Sequence, residues 1–159
     1  MATELGVKGL GSDLVDVARF RQAVERRTGL SERLFSDAER AYADGLGDPV
    51  KSLAARFGAK EAVMKAMGLG LWQFAFRDVE VVRRESGAPT VVLHERAAEL
   101  AAERGIVEWQ LTLSHTDITA MAVAIALGCP RSPWSCSSPP TRWARPTAAR
   151  SPPARRSRC

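Results

Sequence analysis

The sequence lacks the features that would place the protein in a membrane or outside the cell. No apolar run approaches the roughly 18 residues that a membrane-spanning helix needs, so we expect no contact with a membrane. The amino terminus has neither the basic start nor the apolar stretch of a secretory signal. The three cysteines, Cys129, Cys136 and Cys159, all lie late in the chain, and none stands at zinc-site spacing with a histidine. These absences predict reduced thiols and a cytoplasmic protein.

Acidic residues are missing from the end of the chain, which explains the basic net charge of +5. From Pro130 onward there are seven arginines and no acidic residue, whereas the preceding 129 residues hold 16 Lys and Arg against 18 Asp and Glu. A case for nucleic-acid binding therefore depends on this segment alone, and we expect no nucleic-acid partner. The alternative is a basic arm for nucleic acid or for an acidic protein.

Proline and serine dominate the same segment, which we delimit as residues 129–159. It holds seven of the nine prolines, and such a composition forms neither helix nor sheet and offers little apolar surface to bury. We therefore expect a disordered, Pro/Arg/Ser-rich extension that follows one folded domain at residues 1–128.

The periodicity of residues 1–128 predicts an α+β domain. Turn residues at Ser86-Gly87 separate two apolar runs and indicate a hairpin. The predicted helices cover residues 15–27, 31–44, 49–67 and 97–104, and the predicted strands cover 7–10, 79–83, 90–93, 107–113 and 120–127.

The helix predicted at 49–67 has apolar residues on two opposite sides. At 100° per residue, the large side chains share one stripe and the alanines gather opposite them. The large residues are Leu53, Phe57, Met64 and Met67, and the small ones are Ala55, Ala59, Ala62 and Ala66. Because small residues let another backbone approach closely, we expect this helix to pack on both faces.

The charged residues of this helix do not form an ordinary solvated face. Lys60 falls inside the stripe of large residues, Glu61 and Lys65 are spaced i,i+4, and Arg56 lies four residues before Lys60. A charge among apolar groups is costly unless a partner, a ligand or a metal ion balances it. The alternative is a surface helix whose long side chains reach solvent and form i,i+4 pairs.

Two further polar clusters follow predicted strands. Asp13 comes just after the first strand in a glycine-rich stretch, where it can contact a ligand or simply cap a turn. Ser114, His115 and Thr116 end a later strand, where they can cradle a phosphate or serve as ordinary turn residues. Neither cluster decides a function by itself.

Taken together and in this order, the clusters resemble the holo-acyl-carrier-protein synthase group of 4′-phosphopantetheinyl transferases. The matching stretches are GLGSDLVDVARF, ARFGAKEAVMKAMG and LTLSHTDITAMAVAIAL, and the resemblance covers roughly residues 5–128. A GxD followed later by FxxKEAxxK is hard to meet by chance. Ser12 and Gly58 depart from the usual residues at their positions, and the Pro/Arg-rich extension has no counterpart in the family pattern.

The resemblance implies an antiparallel sheet packed against helices, forming one subunit of a homotrimer with coenzyme A in clefts between subunits. It implies a Mg²⁺-dependent enzyme of fatty acid biosynthesis that moves 4′-phosphopantetheine from coenzyme A to a serine of apo-acyl carrier protein. Adenosine 3′,5′-bisphosphate is the other product. The alternatives are a transferase that serves a polyketide or peptide synthase carrier, and a coenzyme A-binding module without catalytic activity.

The resemblance also assigns roles to individual residues. Asp13 and Glu61 match the metal ligands, and with Lys65 they form the expected catalytic set. Either Glu61, acting through water, or a metal-bound water deprotonates the acceptor serine. The expected contacts to the phosphates of coenzyme A are Arg56, Lys60, Lys65, Ser114, His115 and Thr116.

The helix that follows Asp13 is the expected docking site for the carrier protein. Arg19 and Arg26 lie on the side opposite its apolar residues. Because carrier proteins are strongly acidic, a basic face beside the site can attract and orient one. An ordinary solvated face is the alternative.

Overall fold

A computed structural model describes residues 5–70 and 73–129 and confirms the α+β fold. Cys136, Cys159 and nearly all of the predicted extension lie outside these ranges. The elements are β1 (Gly6–Asp16), α1 (Val17–Arg26), α2 (Leu30–Leu34), α3 (Asp37–Asp44), α4 (Pro49–Ala66), a 3-10 turn (Phe76–Asp78), β2 (Val79–Arg83), β3 (Pro89–Leu93), α5 (Glu95–Glu103), β4 (Glu108–His115) and β5 (Thr119–Gly128).

The main sheet has three antiparallel strands in the order β1-β5-β4, and β2 and β3 form a separate hairpin that lies against β4. Side chains alternate between the two faces of a strand. On β5 the alanines at 120, 122, 124 and 126 are fully buried on the face that contacts α4. The opposite face carries larger apolar residues, which include the cross-strand pairs Leu10–Ile125 and Leu14–Met121.

Helix α4 is the centre of the domain and packs on both faces, as its sequence predicts. Its small face meets β1 at backbone distance. A Cβ atom added to Gly9 would lie 1.9 Å from the carbonyl oxygen of Ala66, and one added to Gly11 would lie 2.0 Å from that of Ala62. These contacts lie within the chain, and they bring β1 close enough for its side chains to reach α4.

The ends of α4 follow from its sequence. The Asp48 carboxylate accepts a hydrogen bond from the backbone nitrogen of Val50 at 3.1 Å. Pro49 is the first residue of the helix and has no N–H group that would need an acceptor. Gly68 ends the helix region with a φ of 67°, which a residue with a side chain adopts at a cost.

Two elements differ from their predicted bounds by more than two residues or in number. The helix predicted at 31–44 is two helices, because Phe35 is extended and Ser36 starts α3 with a capping box in which Glu39 takes part. Strand β1 extends far beyond the predicted residues 7–10 and pairs with β5 as far as Asp16. Its glycines interrupt the alternation of apolar and polar residues by which a strand is normally predicted.

Within residues 5–70 and 73–129, no helix is both long and apolar enough to cross a membrane.

Candidate active site

Asp13, Glu61 and Lys65 come together where β1 crosses α4. The Lys65 ammonium donates to Asp13 Oδ1 at 2.6 Å and to the carbonyl oxygen of Ser12 at 3.0 Å. The close contact between β1 and the small face of α4 allows this meeting. The structure thus brings together the three residues that the resemblance implies for catalysis.

Glu61 and Asp13 form a pair of neighbouring carboxylates. The pKa of Glu61 is raised to about 6 by burial, by the negative charge of Asp13 and by a hydrogen bond between the two groups, while Lys65 opposes the shift. Two like charges so close together favour either a shared proton or a bound cation.

The donor set fits Mg²⁺. This ion takes hard oxygen ligands and is commonly held by one or two carboxylates, with phosphate oxygens and waters completing its octahedron. Among the residues that the structure describes, no group of three or more Asp, Glu, His or Cys side chains could enclose a metal ion. The carboxylate pair therefore suits an ion that shares its coordination with a substrate.

Arg56 lies in a separate pocket with Tyr42, Arg83 and His115. Its guanidinium is buried above the Tyr42 ring, 4.3 Å from the centroid, and Arg83 lies 5.4 Å from the same ring. Arg56 donates to Ser52 Oγ, yet its buried Nε has no hydrogen-bond partner among the described residues. Two guanidiniums and an imidazole in one pocket form a site for an anion.

Arg83 was missed in the sequence because an arginine at the end of a hairpin strand is normally a solvated residue. The pocket forms because the β2–β3 hairpin folds back beside α4 and β4. Arg83 and Arg56 come together through tertiary contacts, which no local sequence pattern predicts.

The predicted strand-tip residues do not act as one group. His115 lines the pocket of Arg56, whereas Ser114 pairs with Met121 on the alternate side of β4. Thr116 Oγ1 accepts hydrogen bonds from the backbone nitrogens of Ile118 and Thr119 at 3.3 and 3.1 Å. Thr116 thus shapes the β4–β5 turn.

Lys60 is not placed to contact a phosphate, which corrects the role expected for it. The side chain is fully buried. Its ammonium donates to Glu39 Oε2 at 2.7 Å and to the carbonyl oxygens of Phe76 and Val79. Because an ammonium has three N–H donors, none remains for a ligand. No local pattern indicates that Glu39, 21 positions earlier, is the partner.

Arg19 and Arg26 are both exposed on α1, the helix that directly follows β1. Asp16 caps this helix by accepting a hydrogen bond from the backbone nitrogen of Arg19 at 2.7 Å. Arg21, which lies between them, is paired instead with Asp48 at 2.8 Å. The exposed arginines therefore lie on α1, which directly follows the strand that carries Asp13.

The fold is a small α+β domain in which a carboxylate pair lies beside a lysine, and two arginines line a separate pocket. A family model described as 4′-phosphopantetheinyl transferase superfamily matches residues 9–126. The chain belongs to this family, and it is a phosphopantetheinyl transferase.

Individual relatives agree with this assignment. The holo-[acyl-carrier-protein] synthase of Moorella thermoacetica is 44% identical over 115 residues, which cover 72% of this chain and 90% of that protein. The crystal structure of holo-ACP-synthase from Plasmodium yoelii matches with a TM-score of 0.71 at 27% identity, covering 80% of this chain and 99% of that one. An ACPS–CoA complex from Chronobacterium ammoniagenes matches with a TM-score of 0.69 at 27% identity, with coverages of 80% and 99%.

Proposed function

We propose that the protein transfers 4′-phosphopantetheine from coenzyme A to a serine of apo-acyl carrier protein and releases adenosine 3′,5′-bisphosphate. The observation that carries this proposal is the convergence of Asp13, Glu61 and Lys65 where β1 crosses α4. The relatives named as holo-acyl-carrier-protein synthases and the solved complex with CoA support the donor and the acceptor.

Asp13 and Glu61 would hold Mg²⁺, which neutralises the diphosphate of coenzyme A during transfer. Lys65 is about half exposed, so its ammonium can leave Asp13 for a phosphate oxygen. Charge neutralisation and positioning are the main requirements of phosphoryl transfer. The three side chains supply both.

Glu61 is also the candidate general base. Through an intervening water it can take the proton of the acceptor serine as the oxygen attacks phosphorus. A water held at the Asp13–Glu61 pair is the alternative base.

The pocket of Arg56, Arg83 and His115 is proposed to bind a second phosphate of coenzyme A, the 3′-phosphate. The partnerless Nε of Arg56 is a buried donor that a phosphate oxygen would satisfy. Arg56 and Glu61 lie on α4 about 140° apart, so the two sites face different sides of the helix. One coenzyme A molecule would therefore bind the carboxylate pair of one subunit and the arginine pocket of a neighbouring subunit.

The exposed face of the main sheet supports a homotrimer as the active form. Large apolar side chains cluster on it and at the adjacent β4–β5 turn, and such patches usually mark interfaces. Their exposed fractions are 69% for Val7, 65% for Leu10, 68% for Leu14, 72% for Ile118 and 42% for Met121. Burial of this face between subunits would join the carboxylate site of one subunit to the arginine pocket of the next.

Arg19 and Arg26 are proposed to dock the acidic carrier protein beside Asp13. We place the reaction in the cytoplasm, where it activates the carrier for fatty acid biosynthesis. A carrier of a polyketide or peptide synthase is the alternative acceptor.

Mass spectrometry of the carrier tests the proposal. Incubation of the protein with apo-acyl carrier protein, coenzyme A and Mg²⁺ should add the mass of one phosphopantetheine to the carrier. The gain should vanish with EDTA and in Glu61→Gln. Polyketide and peptide synthase carriers in parallel reactions identify the preferred acceptor. An unchanged mass for every carrier would overturn the proposed function.

A further inference from the structure

Lys60 connects α4 to three other segments through its ammonium. Its partners are Glu39 on α3, the carbonyl oxygen of Phe76 in the 3-10 turn, and the carbonyl oxygen of Val79 at the start of β2. Burial lowers the pKa of Lys60, and the charge of Glu39 opposes that effect. The pair exists in a fully buried environment, where its geometry is restricted on every side.

Both carboxylate oxygens of Glu39 also accept hydrogen bonds. Its Oε2 accepts from Lys60 and from the backbone nitrogen of Ser36 at 3.0 Å, and its Oε1 accepts from the backbone nitrogen of Val81 at 3.0 Å. The network continues outward, because Ser36 Oγ donates to Glu80 at 2.6 Å and Glu80 also contacts His94. Both ends of the ion pair are therefore held by backbone groups of separate elements.

These bonds set the rotation of α4 about its axis. Gly9 and Gly11 limit how far α4 stands from β1, but contacts between small residues have little directional preference. Hydrogen bonds are directional, and those of Lys60 hold the side of α4 that faces away from β1. Glu61 is the next residue along the helix, so a rotation of α4 would carry it, together with Lys65, away from Asp13.

We propose that Lys60, through its ion pair with Glu39, is a positioning residue that orients Glu61 and Lys65 toward Asp13 for metal binding. The inference rests on the proposed metal role of Asp13 and Glu61. A role in folding alone does not explain the pair well, because a buried ion pair often contributes no more stability than apolar residues of the same size. Its directional bonds, in contrast, fix one orientation of the helix.

Metal binding by Lys60→Met tests this proposal. We would titrate Mn²⁺, a paramagnetic substitute for Mg²⁺, into the full-length protein in the presence of coenzyme A and follow it by EPR. The half-saturating Mn²⁺ concentration should rise at least roughly tenfold, the scale on which groups that orient metal ligands act. Leu100→Ala is the matched control: Leu100 is buried on α5, so this variant should also melt at a lower temperature, yet bind Mn²⁺ within about twofold of wild type.

The double variant Lys60→Met/Glu39→Gln separates folding from positioning. Removal of both charges should restore most of the melting temperature that Lys60→Met loses, but not the Mn²⁺ affinity. If Lys60→Met does not fold, the Mn²⁺ affinity of the double variant tests the positioning role instead. Wild-type Mn²⁺ affinity in either folded variant would overturn the positioning role and leave the proposed function intact. A wild-type protein that neither binds Mn²⁺ nor modifies a carrier would instead overturn the proposed function and this inference with it.

Discussion

At the scale of single residues, the contact between Lys65 and Asp13 partly balances the charge of the carboxylate pair. The ammonium lies 2.6 Å from Asp13 Oδ1, while Asp13 also adjoins Glu61. One positive charge thus partly compensates two carboxylates. A cation held by the two carboxylates would make this compensation unnecessary and would free Lys65 for phosphate.

Asp13→Asn should weaken metal binding strongly and change the stability of the fold only slightly. The substitution removes a proposed metal ligand, so the Mg²⁺ concentration for half-maximal transfer should rise by roughly tenfold or more. The melting temperature should change little, since the lost ion pair with half-exposed Lys65 is worth about 0–1 kcal/mol. Asp16→Asn is the control on the same strand, because asparagine caps α1 equally well. A collapse of the thermal melt in Asp13→Asn would make this aspartate structural.

The raised pKa of Glu61 predicts how the metal-free protein responds to pH. Because the folded-state pKa of about 6 exceeds the ordinary 4.5, protonated Glu61 stabilises the fold below about pH 4.5, and this contribution disappears as the pH rises through 6. In EDTA, wild type should therefore lose stability relative to Glu61→Gln between pH 4.5 and 7. Thermal melts of both proteins across this range measure the difference. A difference that does not vary with pH would show that Glu61 has no perturbed pKa.

At the scale of elements, the contact between β1 and α4 decides whether the site exists. Gly11→Ala would place a methyl group 2.0 Å from the carbonyl oxygen of Ala62, so strand and helix must separate. We expect a loss of about 1–3 kcal/mol in the free energy of unfolding and a larger loss of transfer activity. Gly6→Ala on the same strand is the control, since its nearest neighbour, the carbonyl oxygen of Gly128, is 3.9 Å away. Chemical denaturation measures both, and equal stability of the two variants would contradict this account.

Local signals predicted the elements that carry them. Asp48, Pro49 and Gly68 gave the ends of α4, and the spacing of Glu61 and Lys65 gave their shared position on it. The full length of β1 could not be predicted, because its glycines interrupt the apolar-polar alternation of a strand. Glycine is required at Gly9 and Gly11 by the close approach of α4, which is a tertiary contact.

Tertiary contacts explain what sequence could not give. Lys60 was recognised as a charge that needs a partner, but whether that partner is protein or ligand depends on where Glu39 folds. Arg83 joins Arg56 only because the hairpin folds back beside α4. Sequence thus identified the residue types of the site better than their partners.

At the scale of the whole molecule, the exposed apolar face is the feature that a single subunit leaves unexplained. Leu14→Glu puts a charge at its centre and should prevent assembly, since burying an unpaired charge is costly. Size-exclusion chromatography with light scattering should show a trimer for wild type and a monomer for the variant, with transfer activity lost in parallel. Ala102→Glu, on an exposed position of α5, should remain a trimer. A trimeric Leu14→Glu would place the interface elsewhere.

The buried pair of Lys60 and Glu39 also constrains how this protein can evolve. A mutation of either codon alone leaves one charge in the interior without a counter-ion, and such a protein is at a strong disadvantage before a second mutation can arise. We therefore expect substitutions at the two positions to depend on each other, although α3 and α4 are separate helices. Since Glu61 follows Lys60 directly, this dependence links the sequence of the candidate active site to a helix outside it.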